Sequence, residues 1–220
     1  MWLWLIGAFV FGILTPFAAR RFAKFMPATF AGAIVELLRP EKKSPRYRQN
    51  PLYKKLLWRS LMFGLLNTAT TSVLLLEFSS AAFIIIYAWI LLLLAEIDIK
   101  MFLLPDILTI PLLLLGLLAA CLNKSVIPLD ASIIGAFIGY FFPVAVSLLI
   151  VWYKKDAFGG GDIKLLSALG AWLGLEGLLY LITLASILGL LWALIRRQKS
   201  LAFGPMLAIS GILIMIFIGY

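Results

Sequence analysis

The sequence predicts an all-α fold, a polytopic integral membrane protein with about eight transmembrane helices. Hydrophobic residues make up 64% of the 220 residues, charged residues only 13%, and the mean hydropathy is +1.08. Apolar runs of roughly bilayer-spanning length alternate with short polar connections along the chain. A soluble domain of this size does not need so much apolar surface, so most of the chain is predicted to lie in a bilayer.

The first apolar segment, residues 1–19, is predicted to be a retained transmembrane helix. Arg20 and Arg21 follow it directly. A secretory signal peptide has its charges before the apolar run and a cleavage site after it, and here that order is reversed. We therefore expect the N-terminus outside the cell membrane and the arginines in the cytoplasm.

Residues 20–59 form the one long hydrophilic region and contain eleven of the nineteen basic residues. Within it, residues 27–38 predict a short helix at the membrane interface. The positive-inside rule and attraction to anionic lipid explain this charge better than a specific ligand site, and no nucleic-acid partner is predicted. We divide the chain into residues 1–59, the first helix with this basic loop, and residues 60–220, the helical membrane domain.

Seven further segments follow, and the sixth segment of the chain is short enough to be re-entrant. Alternating eight spans from an outside N-terminus puts eighteen of the nineteen basic residues in the cytoplasm and both termini in the periplasm. The same alternation puts Asp98, Asp106, Asp156 and Asp162 at cytoplasmic ends, so Asp98 and Asp162 can meet at one depth. The predicted segments are 61–76, 81–97, 107–122, 132–153, 165–175, 177–195 and 203–220.

The stretch FGGGDIKLLSALGAWLG, residues 158–174, is the strongest candidate for a functional site. Asp162 lies at the start of an apolar segment, and a carboxylate there is costly enough to indicate function. Gly159, Gly160 and Gly161 precede it and permit close approach of another backbone. Asp162 faces a reactive centre or only caps the following helix, and both interpretations stand at this point.

The residue types restrict the chemistry. The chain has no histidine and one cysteine, Cys121, which excludes disulfide frameworks, Cys/His zinc sites and a histidine base. Acid–base chemistry must then come from carboxylates, lysines or tyrosines. Two carboxylates that share one proton supply an acid and a base together without a metal. Peptide hydrolysis at the membrane surface is the natural reaction for such a pair.

Two motifs make the sequence recognisable. IDIKMFLLPDILTIPLLLLGL, residues 97–117, and GGGDIKLLSALGAWLG, residues 159–174, resemble the type IV prepilin peptidases, membrane aspartic proteases with a GxGD signature. AFGP at residues 202–205 is similar to the pattern before that family's last helix. The resemblance covers about half the chain. Asp98, Pro105 and Asp106 match the family's D-x6-PD element, and Gly159, Gly161, Asp162 and Lys164 match GxGD-x-K.

The resemblance implies an aspartic endopeptidase with Asp98 and Asp162 as the catalytic pair. The remaining matched residues would support that site. The implied substrates are type IV prepilins or type II secretion pseudopilins, whose short basic leader is removed at the cytoplasmic face of a bacterial inner membrane. Cleavage would follow a glycine that precedes the hydrophobic helix of the substrate. No metal is implied.

Several residues keep a structural alternative. If Asp98 is not catalytic, it is a carboxylate at the membrane interface that is solvated or paired with Lys100. Asp106 follows Pro105 and is predicted to be an N-cap. Lys164 is predicted to lie at the headgroups or to orient the loop. Glu96 lies two positions before Asp98, on a different helix face, and is left out of the pair.

The sequence also departs from the family pattern. Many members have paired CxxC motifs between their first two spans, and this chain has no cysteine there. In the family that region is associated with N-methylation of the new terminus by S-adenosylmethionine. Methyl transfer is therefore left open, and S-adenosylmethionine would be a cofactor only for that second activity.

Two other classes of protein compete with the peptidase. A transporter or channel would place its carboxylates near the bilayer midplane and often contains inverted repeats, whereas these aspartates lie at span ends and no repeat is visible. A membrane-surface scaffold would use the basic loop but would leave the spacing of Asp98 and Asp162 unexplained.

Overall fold

The computed structural model describes residues 2–25, 56–77, 81–151, 159–196 and 202–218. All regular secondary structure in these ranges is helical, which confirms the all-α prediction. The predicted interfacial helix at residues 27–38 and the residue Asp156 lie outside the described residues. The helices are α1 (Trp2–Phe25), α2 (Leu56–Glu77), α3 (Ala81–Met101), α4 (Asp106–Cys121), α5 (Leu129–Val151), α6 (Gly160–Arg196) and α7 (Gly204–Ile218).

Four of the described helices are long and apolar enough to cross a membrane. The shorter apolar helices α4 and α7 have 16 and 15 residues. At 1.5 Å per residue they are about 22–24 Å long, less than a hydrocarbon core of about 30 Å. The protein is thus a polytopic membrane protein. The four candidate spans are Trp2–Ala19, Ala82–Met101, Leu129–Leu149 and Gly160–Ile195.

The sixth and seventh predicted segments both lie in α6, which is interrupted at Gly174. The φ of Gly174 is 68° and its ψ is −174°, a conformation that glycine adopts easily because it has no Cβ. The helix also begins at Gly160, five residues before the predicted start. As a consequence Asp162 lies within the first turn of the helix.

The buried core is built from side chains of α3, α6 and α7, with further residues from α2 and α4. The rings of Tyr87 and Trp172 are both fully buried and their centroids are 4.8 Å apart. The indole Nε1 of Trp172 also donates a hydrogen bond to the carbonyl of Leu112 in α4, at 2.9 Å. Helix α7 packs against both α3 and α6. The helices that carry the three sequence motifs therefore share one core.

Helix α5 lies against α6 through glycines. A Cβ built on Gly135 would lie 2.2 Å from the carbonyl oxygen of Gly170, so the two backbones touch. The Ser132 hydroxyl adds a hydrogen bond to the Ala171 carbonyl at 2.5 Å. Gly170 and Gly135 together allow this close packing of α5 on α6. Gly174, four residues after Gly170, forms the break in α6.

Replacing Gly135 by alanine should destabilise the fold by about 1–3 kcal/mol, because the added methyl group has no space against Gly170. The measurement is the thermal unfolding midpoint of the purified protein in detergent. Gly160→Ala is the matched control, since a Cβ at Gly160 meets nothing within 4 Å. Equal midpoints for the two variants would contradict the tight interface.

Candidate active site

Asp98 lies near the C-terminal end of α3 and is buried, with 5% of its surface exposed. Its Oδ2 accepts a hydrogen bond from the backbone N–H of Gly204 at 2.8 Å. Gly204 is the first residue of α7, and the first N–H groups of a helix have no partner within the helix. The positive end of the α7 dipole also favours a carboxylate at this place.

A side chain at position 204 would force Asp98 to shift. A Cβ there would lie 2.7 Å from Oδ2 of Asp98 and 3.0 Å from its Cβ and Cγ. The AFGP segment, to which the sequence assigned no role, therefore brings a backbone donor into direct contact with Asp98. The sequence alone could not identify that contact, because 106 residues separate the two positions.

Asp162 lies in the first turn of α6 and is half-buried. The carbonyl of Gly159 accepts the N–H groups of Asp162 and Ile163 at 3.0 and 3.3 Å, so Gly159 is the residue at the helix boundary. The N-cap interpretation of Asp162 is wrong. Within the described part of the chain, the Asp162 carboxylate accepts no hydrogen bond, which leaves its oxygens available to another group.

The structure brings Asp98 and Asp162 together. The two carboxylates are close enough to interact electrostatically, although they come from α3 and α6 and are 64 residues apart. This proximity agrees with the equal depth that the sequence predicts for them. Two carboxylates in a largely buried setting can hold one proton between them and so present an acid and a base together.

Asp106 has a different role from the predicted N-cap. Pro105 is the N-cap residue of α4, with extended backbone angles of φ −73° and ψ 134°, and Asp106 is the first helical residue. Both carboxylate oxygens of Asp106 accept hydrogen bonds from Nζ of Lys164, each at 2.7 Å. The N-cap prediction failed because an ion partner on another helix, invisible in the local sequence, binds the carboxylate.

This ion pair connects the two motifs. Lys164 is half-exposed and belongs to the same turn of α6 as Asp162, while Asp106 begins the helix after the Asp98 segment. Of the roles predicted for Lys164, the contact agrees with orienting the loop. Because the Lys164 side chain is 37% exposed, water screens this pair and it contributes little free energy by itself, so its effect is mainly positional.

Gly159 and Gly161, the two glycines of the GxGD motif, are crowded, whereas Gly160 between them is not. A Cβ on Gly161 would lie 2.9 Å from Cβ of Leu104, and one on Gly159 would lie 2.9 Å from Oδ2 of Asp162. A Cβ on Gly160 would meet nothing within 4 Å. The predicted close approach is therefore made at Gly161, against the segment that follows Asp98.

Glu96 belongs to a second ion pair that the sequence reasoning missed. It is fully buried, and its two carboxylate oxygens accept hydrogen bonds from Nε and Nη2 of Arg59 at 3.2 and 2.5 Å. Glu96 therefore faces α2, whereas Asp98 faces α7, in agreement with its exclusion from the pair. The sequence did contain a signal for this ion pair, because a carboxylate inside an apolar helix is normally paired.

No group of three His, Cys, Asp or Glu side chains that could hold a metal ion occurs among the described residues. The charged groups described above instead form two ion pairs and one pair of carboxylates.

Residues 85–194 match the Type IV leader peptidase family. The chain belongs to this family. The match covers half of the chain and includes Asp98, Asp106, Asp162 and Lys164. The peptidase resemblance seen in the two motifs is thereby confirmed at the level of the family.

Curated relatives named prepilin leader peptidase/N-methyltransferase are similar to this family member. A protein from Dickeya chrysanthemi is 44% identical over 131 residues, which is 54% of this chain and 44% of the relative. One from Dichelobacter nodosus is 40% identical over 160 residues, 70% of this chain and 56% of the relative. The chain spans about half the length of the curated relatives it matches. No solved structure matches it.

Replacing Glu96 by glutamine should destabilise this family member measurably, because it removes the charge that faces the Arg59 guanidinium in a buried place. Breaking a buried pair costs about 3–5 kcal/mol, and the partial exposure of Arg59 reduces that value. Thermal unfolding in detergent measures the effect. Glu176→Gln, at an exposed carboxylate, is the control. Identical midpoints for both variants would show that the ion pair does not stabilise the fold.

Proposed function

We propose that the chain is a membrane aspartic endopeptidase in which Asp98 and Asp162 are the catalytic pair. The observation that carries the proposal is the electrostatic proximity of these carboxylates in a chain without histidine. Membership of the Type IV leader peptidase family supports the same reaction. Proteolysis requires no cofactor in this proposal.

The reaction needs one carboxylate ionised and the other protonated. The ionised carboxylate takes a proton from a water molecule whose oxygen attacks the carbonyl carbon of the scissile peptide. The protonated carboxyl donates to the carbonyl oxygen as negative charge develops there. When the C–N bond of the tetrahedral intermediate breaks, the carboxyl that took the proton from water donates it to the leaving amine. The other carboxylate takes a proton from a hydroxyl of the intermediate as the new carboxyl group forms, so the pair again holds one proton.

The contacts around the two carboxylates hold them in position for this reaction. The Gly204 N–H restrains Asp98, and the ion pair of Lys164 with Asp106 ties the first turn of α6 to the start of α4. Gly161 allows the close approach of α6 to Leu104. Each of these contacts acts by position, and correct placement of reacting groups is a large part of catalysis.

The proposed setting is a bacterial inner membrane with cleavage on the cytoplasmic side. Eight spans with both termini in the periplasm would put both aspartates at that face. The distribution of basic residues supports this topology. The basic loop within residues 1–59 would contact anionic lipid, and residues 60–220 would form the peptidase domain.

The proposed substrates are type IV prepilins or type II secretion pseudopilins with a short basic leader. The names of the relatives, which call them prepilin leader peptidases, support this choice. A basic leader is repelled by the basic loop, so recognition would come from carboxylates, from helix packing or from anionic lipid between them. The hydrophobic helix of the substrate would lie in the bilayer beside the enzyme.

We propose N-methylation of the new terminus as a second activity, for which there are fewer supporting observations. It rests on the second half of the relatives' names, and it would require S-adenosylmethionine. The basic loop in which the family's paired cysteines would occur contains no cysteine here. Peptide cleavage by the two aspartates does not depend on that cofactor.

Asp98→Asn and Asp162→Asn should each abolish leader cleavage, lowering the rate by a factor on the order of 1000 or more because the pair acts as a unit. The assay is cleavage of a co-expressed prepilin, read as a mobility shift and an intact mass. A product heavier by about 14 Da, one methylene, would reveal methyl transfer as well.

Asp130→Asn, at an exposed carboxylate in the first turn of α5, is the matched control and should cleave normally. Membrane levels of all variants are compared. Cleavage that survives in either of the first two variants would refute the assignment of the pair. No cleavage by the wild-type chain over several prepilins and pseudopilins would refute the function.

Gly204→Ala should lower kcat/KM for leader cleavage by up to about 100-fold, because the added methyl group displaces Asp98 from its partner. Gly160→Ala adds the same methyl group near the site without a clash and should leave the rate unchanged. Steady-state kinetics on a purified prepilin measure both variants. Equal rates for the two would show that the position of Asp98 does not depend on the start of α7.

A further inference from the structure

Phe102 has an unusual backbone conformation directly after α3. Within the described residues, two that are not glycine have a positive φ, Phe102 at 53° and Asn123 at 54°. Asparagine enters this left-handed region readily, whereas a bulky residue is strained there. Strain of this kind is concentrated at functional sites, where the surrounding structure holds it in place.

Burial of the aromatic ring does not explain the strain. Phe102 is 42% exposed, while its neighbours Met101 and Leu104 are 8% and 4% exposed. The residue ends α3 in a left-handed conformation, with its N–H bonded to the carbonyl of Asp98 at 2.8 Å. A glycine would end the helix in the same way without strain. A large side chain is therefore not needed to end the helix.

The position of Phe102 relates it to the two carboxylates. Its backbone is bonded to Asp98, and two residues later Leu104 packs against Gly161 in the first turn of α6. Phe102 thus lies on the short segment that joins the surroundings of Asp98 to those of Asp162. This segment carries an aromatic ring that is 42% exposed.

We propose that Phe102 is a substrate-contacting specificity residue, whose ring packs against an apolar side chain next to the scissile peptide bond. This inference rests on the proposed peptidase function. The strained backbone fixes the direction in which the ring leaves the segment, so the ring loses little freedom when the substrate binds. Aromatic rings supply a large apolar contact area for such binding.

Phe102→Gly separates a substrate contact from a structural role. Glycine relieves the backbone strain, so the variant should unfold at the same temperature as the wild type or a higher one. Its kcat/KM for leader cleavage should nevertheless fall about tenfold or more, the size of effect expected for a lost apolar contact. This fall in kcat/KM should come from a higher KM, with kcat little changed. That is the result expected when a contact is made equally in the bound state and the transition state.

Asn123→Gly is the matched control, because it relieves the same type of backbone conformation in the turn after α4. It should leave both kinetic constants unchanged. Phe102→Leu keeps an apolar side chain and should retain most of the cleavage. With a prepilin whose apolar side chain next to the scissile bond is replaced by alanine, wild type and Phe102→Gly should cleave at similar rates.

The outcomes distinguish this inference from the proposed function. A wild-type enzyme that cleaves, with Phe102→Gly equally efficient, would overturn the role of Phe102 and leave the peptidase standing. A fall confined to kcat would indicate a disturbed Asp98 and would also overturn it. A wild type that cleaves no prepilin removes both proposals. If Phe102→Gly does not accumulate in membranes, Phe102→Asn provides the same test, since asparagine also tolerates this backbone.

Discussion

The hydrogen bond from the Gly204 N–H to Asp98 is the contact on which the arrangement of the site depends. It joins the end of α3 to the start of α7, and it exists because a helix leaves its first N–H groups without internal partners. The lack of a side chain at Gly204 allows the Asp98 side chain to approach the backbone at the start of α7. Because α7 also packs on α6, this bond relates the Asp98 helix to the helix that carries Asp162.

Ionic contacts around the pair add to this restraint at the same group of helix ends. The Asp106–Lys164 and Arg59–Glu96 pairs bring together helices that are distant in the sequence. The buried Glu96 carboxylate would be very costly without a partner, so its pair with Arg59 favours one arrangement of the two helices, whereas the pair of Asp106 with the half-exposed Lys164 acts mainly by position. The site is thus held by polar contacts at the helix ends, while apolar and glycine packing holds the helix bodies.

Local sequence reasoning failed where a distant residue decided the contact. The N-cap predicted at Asp106 was wrong because Lys164, 58 residues away, binds that carboxylate. The partner of the buried Glu96 was missed for the same reason, because Arg59 is also distant in the sequence. Arg59 lies at the end of a basic region, and the positive-inside rule already explained the charge of that region. Caps depend on a few neighbouring residues, but ion pairs depend on which helices become neighbours.

The sequence by itself determined the helical membrane architecture, the approximate helix positions and the residues of the two motifs, since hydrophobicity and residue type are local properties. The tertiary structure decided that Asp98 and Asp162 approach each other, that Gly204 contacts Asp98, and that the break in α6 lies at Gly174. It also revealed the strained backbone of Phe102. These features depend on backbone conformation and on packing between helices far apart in the chain, which no local pattern of residues records.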